Sequence, residues 1–338
     1  MHRMDRPLPP APRLPLLDGM RGIAAIGVML YHAHFIFGLR EICGHGYLFV
    51  DFFFVLSGFV LTLGVEPRMR PRTFMAARVR RFWPMVALGV ALGVVQQLTE
   101  GVAWPAVLGC AVAALVMMPM VHAPSAIFPL NGPQWSLMME LLANLAHATV
   151  LRRLGRRGLI AVIVLSGVVL APLVLAQGWG NLGPFAWNWP MAVPRVLFSY
   201  ALGVLMARHW RAERVLPHRV WWLPLALLPA VGVLTRGAWG DLAAMLALMP
   251  AIFLMATMAR PPLPAQRVLT ALGRLSFPLY ATQVPTMILI RLALGAHPWT
   301  WLAGMAGALA TAHLAALGLE RRSPRQPAAR RPTPLATA

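Results

Sequence analysis

The chain has 338 residues, of which 59% are hydrophobic and 12% charged, with a formal charge of +20. No lysine occurs, and the arginines cluster between apolar stretches, which is the orientation signal of a membrane protein rather than the footprint of a nucleic-acid binder. Apolar runs of about 17–20 residues exclude a soluble domain, and the lack of short alternating segments excludes a transmembrane barrel. The opening MHRMDRPLPPAPRLP is too polar and proline-rich for a cleavable signal, so the first span is expected to stay as an anchor.

In chain order the apolar stretches are 19–37, 46–64, 83–98, 102–121, 135–151, 159–176, 191–207, 220–235, 241–259, 275–293 and 299–317. The arginine-rich connections are 66–82, with six arginines, 152–158, 208–219, 260–274 and the tail. The connections 38–45, 177–190 and 294–298 are arginine-poor. With the N-terminus in the cytoplasm, all arginine-rich connections return to the cytoplasmic side only if one stretch fails to cross. The weakest is 102–121, bounded by Pro105 and Pro119. The expectation is an all-α polytopic protein of about ten transmembrane helices plus one re-entrant or partly spanning segment. Residues 1–318 form the transmembrane domain, and 319–338 a disordered basic cytoplasmic tail able to touch anionic lipid. Cys43 and Cys110 fit no metal spacing and imply no disulfide.

The first stretch carries Arg21 and His32, eleven residues apart. Eleven helical steps return to within about 20° of the same face and rise about 16 Å. A guanidinium and an imidazole in hydrocarbon are costly unless they face the bundle interior. Arg21 can grip a phosphate or polarised carbonyl through its planar fork, or simply snorkel as an anchor. His32 can act as a base, carry an acyl group, or make a polar helix contact. His34, two residues on, points elsewhere, so a two-histidine metal site is not expected. Asp18 reads as a helix N-cap. Asp51, near the start of the second stretch, either pairs with His32 or caps its helix. Phe52, Phe53, Phe54 and Gly58 read as packing residues.

Ser136 and Glu140 are four apart and share a face. Glu140 is the only carboxylate in 135–151, and an intramembrane carboxylate is a functional candidate, with a salt bridge as the structural alternative. Arg78 and Arg81 either bind phosphate or only set topology. Trp179, Trp187 and Trp189 in 177–190 read as an interfacial belt or a sugar-stacking platform.

The segments LDGMRGIAAIGVMLYHA, VDFFFVLSGFVLT, RVRRFWP and NGPQWSLMMELLAN follow one another in this order, and together they resemble the acyltransferase-3 family of membrane O-acyltransferases. The resemblance implies an enzyme of about ten helices that moves an acyl group, often acetyl, from acyl-CoA to a hydroxyl of a cell-surface saccharide, lipid-linked or related acceptor, in the inner membrane and without a metal. It implies that Arg21 and His32 are the essential pair and that Glu140 is the acid of the tryptophan–serine–leucine motif. Arg78 and Arg81 then match the spaced arginines before Pro84. In SFPLYATQVP the family commonly has a histidine where this chain has Gln283, which cannot serve as a base near neutral pH. Tyr280 remains there as a hydrogen-bond donor. The partners implied are acyl-CoA, a hydroxyl-bearing acceptor and membrane lipid, with no nucleic acid. A transporter using the arginine, histidine and glutamate as a relay is the alternative. It is disfavoured by the lack of a repeat with paired broken helices. A catalytically inactive scaffold is a third reading.

Overall fold

The computed structural model describes residues 14–40, 42–66, 69–122 and 126–322. Among them the chain is helical throughout, with no strand beyond one isolated bridge between Ala126 and Phe185. The helices are α1 (Pro15–Phe37), α2 (Phe49–Gly64), α3 (Pro71–Thr99), α4 (Trp104–Leu115), α5 (Gln134–Thr149), α6 (Arg156–Gln177) and α7 (Ala192–His209). There follow α8 (Leu223–Leu234), α9 (Gly237–Ala243), running through a π turn (Ala244–Leu248) into α10 (Met249–Met258), then α11 (Leu263–Leu294) and α12 (Thr300–Arg322).

Among the described residues, eight helices are long and apolar enough to cross a membrane, with α9, the π turn and α10 counted as one. The chain is a multi-pass membrane protein. At 12 residues, α4 rises only about 18 Å, well short of a bilayer core of about 30 Å. This agrees with 102–121 not spanning. After α3, the chain turns through α4 and the loop 116–133 and returns along α5. Counting α5 and the longer apolar run His218–Leu234, which ends in α8, with the eight long helices gives ten traverses.

The connections confirm that parity. Glu66, after α2, meets His147 at the end of α5 and Arg208 at the end of α7. Arg152 donates to the Met69 carbonyl, Arg260 to the Ala212 carbonyl, and Arg274 pairs with Glu320. All the arginine-rich connections therefore gather at one end of the bundle. The other end joins 38–48, 177–190 and α9, where His45 and Gly180 both bond Asp241.

Three boundaries differ from the sequence expectation. Residues 71–82 are not a loop but the first three turns of α3, begun by Pro71 in the first helical turn. Residues 263–274 likewise open α11, behind its own proline. Sequence windows read these arginine-rich turns as connections because charge lowered their mean hydropathy, whereas helix geometry tolerates arginine well. At the C-terminus α12 continues to Arg322, so the expected tail boundary at 318 falls inside a helix; the remainder of that tail lies outside the described residues.

Burial sorts the helices. In the most apolar window of α2, 78% of residues are buried, against 22% in α6 and in α12. α2 is the central post, and α6 and α12 turn most of their surface outward. α2 packs on α7 through small residues: a methyl added at Gly58 would overlap the Tyr200 carbonyl, and one at Gly203 the Val55 carbonyl. Such mutual close approach supplies the van der Waals contact that holds helices together in lipid. α1 and α11 run parallel, since Arg21 bonds Ser276 and Gly273 while Arg291, farther along, bonds the Ile36 carbonyl.

Candidate active site

Six of the residues singled out from sequence line one cavity of about 120 Å³: Arg21, Arg78, Arg81, Ser136, Glu140 and Tyr280. They come from α1, α3, α5 and α11, and α2 supplies one wall. The cavity runs along α2 from Val50 to Leu61, and Arg21, Arg78 and Arg81 line the part of it toward the arginine-rich end.

Arg21 is fixed by α11. Its Nε donates to Ser276 Oγ at 2.8 Å and its Nη2 to the Gly273 carbonyl at 2.7 Å. Asp18 Oδ1 lies 3.9 Å from Nη2. Asp18 is therefore not an N-cap: α1 starts at Pro15, and the carboxylate sits in its first turn, one turn below the guanidinium. Nη1 of Arg21 makes no hydrogen bond among the described residues.

Glu140 is held from two sides. Ser57 Oγ donates to its Oε1 at 2.7 Å and Arg78 Nη2 at 3.0 Å. The salt bridge expected as the structural alternative does form, yet the carboxylate still borders the cavity. Arg78 is buried, stacks over Phe82 with 5.0 Å to the ring centroid, and leaves its Nε without a partner. Arg81, one turn on, is exposed on the cavity rim. Ser136 Oγ and Tyr280 OH are 2.6 Å apart, bridging α5 to α11. Ser136 Oγ also reaches the Pro133 carbonyl at 3.0 Å, so the serine donates there and the tyrosine donates to the serine.

His32 does not line this cavity. It lies farther along the same α1 stripe as Arg21, half-buried, its ring edge-on to Tyr31. Its Nδ1 is 2.9 Å from the Val28 carbonyl. A carbonyl can only accept, so Nδ1 carries the hydrogen and the neutral ring presents Nε2 as a bare nitrogen. His34 turns away, as expected, and bonds the Leu39 carbonyl at the end of α1.

Asp51 is elsewhere as well. It pairs neither with His32 nor as an N-cap, but accepts a forked pair of bonds from Arg195 of α7, with Nη2 to Oδ2 at 2.7 Å. Both residues are fully buried. Sequence reasoning missed Arg195, although it is the only charged residue in 191–207 and the intramembrane-charge rule that found Glu140 would have found it. The same signal marks Asp241, the only charge in 241–259. Asp241 accepts from His45 at 2.6 Å, Tyr47 at 2.6 Å and the Gly180 amide at 2.6 Å. Nearby, Asn181 donates to Tyr31. This cluster closes the end of the bundle beyond His32. Of the tryptophans in the 177–190 loop, Trp187 is exposed and stacks on Phe185, whereas Trp179 packs against Tyr47.

At the arginine-rich end Glu66 joins His147 Nε2 at 2.8 Å and Arg208 at 3.0 Å. Burial pushes its carboxyl pKa up, but the His147 hydrogen bond and the Arg208 charge outweigh that and leave it below the ordinary value.

Known proteins bear on this arrangement. The chain is 33% identical over 186 residues to "Protein 2 in picA locus" of Rhizobium radiobacter, covering 48% of this chain and 94% of that one. It is 27% identical over 345 residues to "Acyltransferase MdmB" of Streptomyces mycarofaciens, covering 90% and 87%. A shorter stretch of 81 residues is 35% identical to a "Putative peptidoglycan O-acetyltransferase YrhL" of Bacillus subtilis (strain 168), only 12% of that protein. No solved structure matches. A family profile described as "Acyltransferase domain" matches residues 14–317, from the start of α1 to near the end of α12. The chain thus belongs to the acyltransferase-3 family and is a membrane acyltransferase.

Proposed function

We propose that this enzyme transfers a short acyl group, such as acetyl, from acyl-CoA to a hydroxyl of a cell-surface saccharide or related acceptor, in the inner membrane with both termini cytoplasmic. The observation that carries the reading is the convergence of Arg21, Arg78 and Arg81 on a cavity at the arginine-rich end, with His32 farther in on the Arg21 stripe. The positive-inside rule puts that end in the cytoplasm, where acyl-CoA is available. Its phosphates fit the exposed Arg81 and the cavity arginines. The pantetheine arm then runs inward toward His32. The relatives named for acyl and O-acetyl transfer support a hydroxyl acceptor.

In this reading Nε2 of His32 takes the proton of the acceptor hydroxyl as its oxygen attacks the thioester carbonyl. The tetrahedral intermediate collapses, the C–S bond breaks, and the leaving CoA thiolate takes the proton from the imidazolium. Glu140, braced by Arg78 and Ser57, sets the electrostatics of the entrance. Ser136 and Tyr280 supply hydroxyls along its wall.

The test is transfer from acetyl-CoA by detergent-purified protein, with His32→Gln and His34→Gln compared. Loss of a general base costs about 10²–10⁴-fold, so His32→Gln should fall by that factor while His34→Gln stays mild. Near-normal transfer by His32→Gln alongside an inactive His34→Gln would show that the wrong histidine has been chosen.

A further inference from the structure

Gln283 has no exposed surface, and neither its Nε2 nor its Oε1 has a hydrogen-bond partner. Among the described residues no other side-chain amide is buried with both polar atoms unpaired. Each such atom costs about 1–3 kcal/mol if it stays unpaired, so a native protein that keeps both needs a reason.

Its position supplies one. At 100° per residue, Ser276, Tyr280, Gln283 and Met287 fall within an arc of about 60° on α11. Ser276 and Tyr280 line the cavity; Gln283 lies beyond its lining, on the same face of α11 about 4.5 Å past Tyr280 and away from the arginine-rich end. The parallel register of α1 on α11, set by Gly22 against Leu272 and by the reach of Arg21 to Ser276 and of Arg291 to Ile36, brings His32 level with residues 282–287. His32 therefore lies within about 6 Å, one helical turn, of the level of Gln283. Around Gln283 the protein offers no partner: Leu279 and Met287, one turn to either side, pack in an apolar cluster with Ala25, Met29 and Ala33 of α1.

We propose that Gln283 binds the pantetheine amide nearest the thioester of the acyl donor. A primary carboxamide suits a secondary amide, because its Oε1 can accept the amide N–H or its Nε2–H can donate to the amide carbonyl; a trans amide turns these two groups to opposite sides, so it takes one of the two bonds. In coenzyme A that amide is joined to the thioester sulfur by a two-carbon link, so an amide seated on Gln283 sets the thioester carbonyl one turn farther in, beside Nε2 of His32. Gln283 thus measures the depth of the donor, and a donor lacking the amide is not seated. This inference rests on the acyl-CoA reading above.

The experiment measures kcat/KM of wild type, Gln283→Leu and Gln283→Met with three donors: acetyl-CoA, S-acetyl-N-acetylcysteamine, and S-pentyl thioacetate, which has the same chain length and no amide. Wild type should favour the amide-bearing short thioester over the alkyl one by about 10–100-fold, the range for leaving one side of a buried hydrogen bond unpaired. Both variants should erase that preference and lose a similar factor with acetyl-CoA, while their thermal stability in detergent stays equal or rises. Variants that keep wild-type kcat/KM and the wild-type preference overturn the inference alone and leave Gln283 bonded to a buried water. A wild type that uses no thioester overturns the acyl-CoA reading, and the inference with it. Leucine and methionine both conserve volume, so a folding defect in one leaves the other to decide.

Discussion

Asparagine at position 51 would remove one charge from the centre of the bundle and leave every atom nearly in place. Arg195 gives its Nε to both Asp51 oxygens at 3.1 and 3.2 Å, its Nη2 to Oδ2 at 2.7 Å and to the Tyr47 carbonyl at 2.8 Å, and its Nη1 to the Leu182 carbonyl at 3.2 Å. Ser199 adds a bond to Oδ1 at 3.2 Å. The guanidinium is 0% exposed and Asp51 1%. In Asp51→Asn the positive charge stays, and an amide hydrogen now faces an N–H of the fork. Breaking a buried pair on one side typically costs about 3–5 kcal/mol. At about 2–4 °C per kcal/mol for chains of 150–250 residues, the apparent melting temperature in detergent should fall by about 10 °C. The double variant Asp51→Leu with Arg195→Met removes both charges and should recover most of that loss, because an apolar pair of similar volume is often no worse than the ions it replaces. Two results would refute the argument. One is an Asp51→Asn protein that melts within a degree or two of wild type. The other is a double variant no more stable than the single. Lost transfer with unchanged melting would make Asp51 part of the chemistry and not of the frame.

Two further expectations follow from the ends of the bundle. The Glu66 carboxyl titrates lower in the folded protein than in the unfolded chain, so its contribution is complete above the ordinary glutamate value of 4.5 and is lost as pH falls through the lowered folded value. Melting temperature against pH in that acid window should be steeper for wild type than for Glu66→Gln, and equal slopes would remove Glu66 from the latch. Single cysteines in 152–158, 208–219 and 259–262, placed in a protein lacking Cys43 and Cys110, should be shielded from an impermeant thiol reagent in intact cells, whereas those in 38–45 and 177–190 should label. Labelling of 152–158 from outside would break the ten-traverse path.

What sequence made legible was whatever depends on spacing within one helix. The eleven-residue interval predicts that Arg21 and His32 share a stripe, and the four-residue interval that Ser136 and Glu140 share a face. Loop charge predicts that one stretch does not cross, and the prolines Pro105 and Pro119 point to 102–121. What escaped it were pairings between helices far apart in the chain. Asp51 and Arg195 are separated by 144 residues, and His45 and Asp241 by 196. No periodicity links such positions, so a lone acid near a helix start was assigned to the nearest plausible task, a cap or a neighbouring histidine. Their existence was nevertheless signalled: a buried charge in hydrocarbon demands a partner of opposite sign, and six stretches each carry one charge, three acids and three arginines. That balance calls for pairs between stretches, although it does not say which acid meets which arginine.

Donor inventory separates the two intramembrane arginines that spacing alone cannot tell apart. Arginine has five N–H groups and cannot lose its charge in a protein. Arg195 directs all three of its nitrogens to acceptors that belong to the fold: Asp51, Leu182 and Tyr47. Of the five N–H groups four are used and one Nη1 hydrogen is left over, but no surface is exposed, and the residue joins α2, α7 and the 177–190 loop as a rivet. Arg21 directs only Nε and one Nη2 hydrogen to the fold, and both acceptors, Ser276 Oγ and the Gly273 carbonyl, are uncharged. Asp18 at 3.9 Å is too far for a hydrogen bond and only partly balances the charge. A cation that lines a cavity and is fixed in direction by neutral partners has lost its rotational freedom before an anion arrives. That preorganisation lowers the cost of binding. The same accounting places Arg78 between the two, with one nitrogen bonded to Glu140 and Nε buried without a partner. Two guanidinium groups with unbonded nitrogens lining one cavity, and one bonded through all three nitrogens in the frame, are the arrangement expected where an anionic donor completes the site.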